Sequence, residues 1–96
     1  MTMETTLTPP VKEHSRITAY VRAVEQVNEA GKHYKAMVEA AFNHCITKNA
    51  DKISHNYHRA HIILRECSAE LINAKLADEI SAEELTKVVN SNPLLY

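Results

Sequence analysis

From Ile17 onward, apolar residues recur at steps of three and four: Ile17, Tyr20 and Val21, Val24, Val27, then Tyr34, Met37 and Val38, Ala41 and Phe42, Cys45 and Ile46. That is the period of one helix face, and Ser15 stands where an N-cap is expected. The stripe keeps its phase across Gly31. A glycine inside a helix costs only about 1 kcal/mol relative to alanine, so one continuous or gently kinked helix over about 15–47 is expected rather than a break.

The first polar interruption is Thr47-Lys48-Asn49-Ala50-Asp51. Asn49 suits a left-handed C-cap and Asp51 an N-cap for a second helix, so the chain is expected to turn back as a helical hairpin. From Ile53 the apolar positions run through Tyr57, Ala60, Leu64, Cys67, Leu71 and Ala74, the most regular seam in the chain. It predicts a second long helix over 52–79. Ser81, Glu84, Ile80 and Leu85 have the spacing of a capping box with a hydrophobic staple, which starts a short third helix near 82–90. Asn90-Ser91-Asn92-Pro93 ends it, and Leu94-Leu95-Tyr96 is apolar enough to dock or to be presented.

The expected fold is therefore all-α: a long antiparallel hairpin and a short C-terminal helix in one domain over 14–96. Residues 1–13, with four threonines and Pro9-Pro10, read as a flexible arm. Composition agrees, with one glycine and three prolines among 96 residues, too few turn formers for an ordinary β-sandwich or barrel. Cys45 and Cys67 are separated from any CxxC pattern and are expected to be small buried apolar residues, not ligands or a disulfide. The first fifteen residues lack a basic head followed by an apolar run, and no apolar run reaches membrane length, so no secretory leader is expected and the expected setting is cytoplasmic.

The net charge of −1 hides an inversion. Residues 12–65 hold nine Lys and Arg against five acids, and residues 66–96 hold Lys75 and Lys87 against six acids. The two segments are expected to meet within the fold or across a homodimer.

His55, His58 and His61 stand at steps of three. With the seam facing inward, His55 and His58 fall far from it beside Arg59, and His61 falls on its flank. Three such residues fan over about 120° of a helix, so a zinc site needs help from His33, His44 or Cys45, and no metal or other cofactor is expected. Glycine-rich phosphate loops and nucleophile elbows are absent, and His44-Cys45 is mere adjacency, so the chain is not expected to be an enzyme. The arc of Lys48, Lys52, His55 and Arg59 is the candidate for nucleic acid or another anion.

A second apolar line on the long helix, Ile62, Ala69, Ile72 and Leu76, lies opposite the seam. The third helix is expected to cover Ile72, Leu76 and Ile80, leaving Ile62 and Ala69 open. Such a line is the candidate surface for a larger protein partner or a second copy. The stretch from Ala60 to Leu71 resembles the long helices of flagellar and type III export chaperones, a likeness of amphipathic pattern from which no residue role follows. The expected function is a small protein-binding regulator of inhibitor, adaptor or chaperone type, with a nucleic-acid-binding regulator as the alternative.

Overall fold

The computed structural model describes residues 14–95. The expected N-terminal arm and Tyr96 lie outside them. Three helices follow one another, α1 (Ser15–Phe42), α2 (Ala50–Leu76) and α3 (Ala82–Ser91), with no strand among the described residues. The first two form the hairpin and α3 packs across its open end, so the all-α architecture read from the apolar pattern is the one the chain adopts. Helix α1 runs unbroken through Gly31, which is buried.

The helix ends differ from expectation in instructive ways. His14, not Ser15, caps α1: its Nδ1 accepts from the Arg16 amide at 3.1 Å, while its Nε2 lies 2.8 Å from Glu79 Oε1. One neutral tautomer, with the proton on Nε2, satisfies both bonds. Helix α1 stops at Phe42 rather than near 47 because the chain reverses there. The Cys45 amide donates to the Ala40 carbonyl and the His44 amide to the Ala41 carbonyl, with His44 left-handed at φ 61°. This is a Schellman closure without glycine. A second one ends α2, where Glu79 and Asp78 donate to Ala74 and Lys75 around a left-handed Asp78. Asn49 is left-handed as expected but precedes α2 as its cap residue, and Asp51 sits inside the first turn. Ser81 caps α3 as predicted, its hydroxyl accepting from the Glu84 amide at 3.0 Å.

A histidine held left-handed stores backbone strain that glycine does not. His44→Gly is expected to raise stability by about 0.5–1 kcal/mol, after glycine's greater unfolded-state entropy is set against the relieved strain. Urea unfolding followed by circular dichroism checks this.

The core is confined to the open end. Ala23, Val24 and Val27 pack against Ala60 and Leu64, and below them Ile17, Leu71, Ala74 and Ile80 form a second cluster flanked by Leu85 and Val88 of α3. These are the seam residues of both helices together with Ile80, the staple position before α3. Asn28 ties the C-terminal segment down, donating to the Pro93 carbonyl at 3.1 Å and accepting from the Leu95 amide at 2.8 Å. No residue from Lys32 to Arg59 is buried. The Tyr34 and Tyr57 rings stack there between the two helices at 4.5 Å. The molecule is long, 60 × 33 × 19 Å with a radius of gyration of 17.8 Å, against about 12 Å for a compact chain of this size.

Candidate protein-docking surfaces

Helix α2 carries the candidate line on its outer side. Ile62, Ala69, Ile72 and Leu76 are all exposed, Ile62 at 49%, Ile72 at 51% and Leu76 at 71%. The expectation that α3 covers Ile72, Leu76 and Ile80 holds for Ile80 alone. The left-handed turn at Asp78 swings α3 under Leu71 and Ala74, on the seam side, so the outer side stays open. His55 and His58 are exposed on this same outer side, and Arg65 lies between Ile62 and Ala69.

The pattern missed a second apolar surface, at the hairpin tip. Met37, Val38, Ala41, Phe42, Cys45 and Ile46 line a shallow cup together with Ala50. Phe42 is 81% exposed and Ile46 is 98% exposed. These residues continue the α1 stripe, but the early reversal at His44 leaves beside them the start of α2, where Ala50 is a small residue. Cys45 is correspondingly exposed and Cys67 half-buried, so neither is the buried core residue the apolar pattern suggested.

The basic arc is where it was expected. Lys48, Lys52, His55 and Arg59 are all exposed, and on α2 the last three fall within one 60° sector. The row changes sign along that side, since Glu66 and Glu70 continue it. Basic and acidic segments do meet within the fold at the open end, where Arg16 approaches Glu70 at 3.3 Å and Glu79 at 3.5 Å.

His61 joins the aromatic stack, edge-on to Tyr57 at 4.6 Å, and the His58 ring lies tilted beside the same tyrosine at 6.1 Å. His33 pairs with Glu29 one turn away at 3.4 Å. Among the described residues no three His, Cys, Asp or Glu side chains converge on a point that could hold a metal ion. No helix among them is long and apolar enough to cross a membrane. No family model, curated protein or solved structure matches the chain.

Proposed function

We propose that the protein is a small non-enzymatic regulator of inhibitor, adaptor or chaperone type, which acts in the cytoplasm as a homodimer by docking a larger protein through apolar helix surface. The observation that supports this is the division of the apolar residues. The buried cluster ends near Gly31, while Phe42 and Ile46 at the tip and Ile62, Ile72 and Leu76 along α2 remain in solvent. A small chain exposes contiguous apolar surface at a cost in solubility, and such surface commonly marks an interaction site. A dimeric adaptor needs one surface for itself and one for its partner, and two are present. Docking of helix on helix, or helix in groove, uses side chains at this spacing.

Capture on the immobilised chain from a cell lysate, with and without nuclease, tests this reading. A single stoichiometric protein that survives nuclease and a high-salt wash is expected.

The exposed row of Lys48, Lys52, His55 and Arg59 favours a second reading, a nucleic-acid-binding regulator. Contacts to phosphate release counterions, so binding by this row falls steeply with ionic strength. Capture that vanishes with nuclease, together with retention of labelled oligonucleotide at low salt only, replaces the first reading by the second.

A further inference from the structure

We infer that the outer line of α2 is the seat of a second copy of this chain, bound antiparallel across a two-fold axis that passes near Arg65 and Glu66. This rests on the reading of that line as a docking surface and names its occupant. Two independent patterns on α2 point to the same arrangement.

The first is spacing. His55, Ile62, Ala69 and Leu76 are seven residues apart, and His58, Arg65 and Ile72 repeat at the same interval between them. Together they form one narrow stripe of heptad type, the form that pairs with another helix. Both long helices already use a different side, the seam, for each other. The stripe extends over about 32 Å at 1.5 Å per residue, and its midpoint falls between residues 65 and 66.

The second is charge. Before the midpoint α2 carries Lys52, Arg59 and Arg65 with Asp51 as the one acid, whereas after it α2 carries Glu66 and Glu70 with Lys75 as the one cation. The sign therefore inverts at the midpoint of the stripe. A parallel pair sets like charge on like along the whole length. An antiparallel pair centred there sets the net positive half of one α2 against the net negative half of the other, twice over, with Arg65 opposite Glu66 of the second copy and Ile62 opposite Ala69 of the second copy. None of Lys52, Arg59, Arg65 and Glu66 has an ion pair among the described residues, so all four are available across the axis, whereas Glu70 is already paired with Arg16. An isologous contact of this kind closes on itself and leaves both hairpin tips pointing away from the axis, free for a partner.

Sedimentation equilibrium on the purified chain is the first test. A dimer is expected, weakened by salt, because the paired charges are solvent-screened. Ile62→Glu with Leu76→Glu is expected to weaken self-association at least 100-fold with unchanged helicity. Should that variant lose helicity, a pair confined to exposed charges decides the matter: Arg65→Glu weakens the dimer, and adding Glu66→Arg restores it. Direction is read by disulfide trapping in a Cys45→Ser, Cys67→Ala background. A mixture of His58→Cys and Asn73→Cys chains is expected to cross-link to each other and not to themselves.

A chain that stays monomeric at all concentrations, or a dimer indifferent to both sets of substitutions, overturns the inference. His58→Cys chains that cross-link to themselves overturn the antiparallel arrangement. The docking reading fails separately: a chain that is dimeric by all these criteria and still captures no protein keeps the self-pairing and loses the adaptor role. A monomer whose captured protein is released by Ile62→Glu with Leu76→Glu does the reverse.

Discussion

Leu71→Ala is expected to lower unfolding stability by about 3 kcal/mol and the thermal midpoint by about 12–24 °C, the scale for a domain of this size. Leu71 is 1% exposed and sits in the lower cluster with Ile17, Ala74 and Ile80. Its removal opens a cavity where three helices meet, and two of its neighbours already lack the bulk to close it: Ala74 is small and Ile80 is held by the turn before α3. A domain of about 80 residues has roughly 4–12 kcal/mol to lose, so the loss is a large fraction of the whole. Calorimetry against the exposed control Ile72→Ala, expected to change stability by less than about 0.5 kcal/mol, separates core from surface.

A second large effect is expected at Gly31. Its azimuth on α1 falls between those of Val24 and Val27, both packed against α2, and it is buried itself. A leucine side chain is therefore expected to be forced against the opposite helix. Overpacking costs about 1–3 kcal/mol, only partly offset by a gain of about 1 kcal/mol in helix propensity. The consequence is uneven, because nothing above Gly31 is buried and the Tyr34–Tyr57 stack joins the two helices there. Gly31→Leu is expected to part that stack and speed amide exchange in residues 35–42 and 51–57 well before the lower core opens. Uniform exchange across both halves, or a net gain in stability, shows that the helices do not approach closely at Gly31.

The long helices were legible because their signals are redundant. Seven apolar positions from Ile53 to Ala74 repeat one phase, and Ser81 with Glu84 marks α3 without ambiguity. The helix ends were less so. With its one glycine inside α1, the chain makes its left-handed positions from His44, Asn49 and Asp78, of which only Asn49 advertises itself. The unannounced turn at His44 shortened α1 and exposed Phe42, Cys45 and Ile46. The one at Asp78 set α3 on the seam side and left Ile72 and Leu76 uncovered. The line Ile62, Ala69, Ile72 and Leu76 was visible from its angular position alone, since it depends only on α2 being a helix. The tip was not, since its exposure depends on where α1 stops.

The most direct test of a partner-docking role compares equilibrium binding of the nuclease-resistant captured protein by the native chain and by Phe42→Asp with Ile46→Asp. Both side chains are almost wholly in solvent, so the variant is expected to keep native helicity and native self-association while binding at least 100-fold more weakly. Undiminished binding by a folded variant, or the absence of any captured protein, contradicts a docking role for the tip.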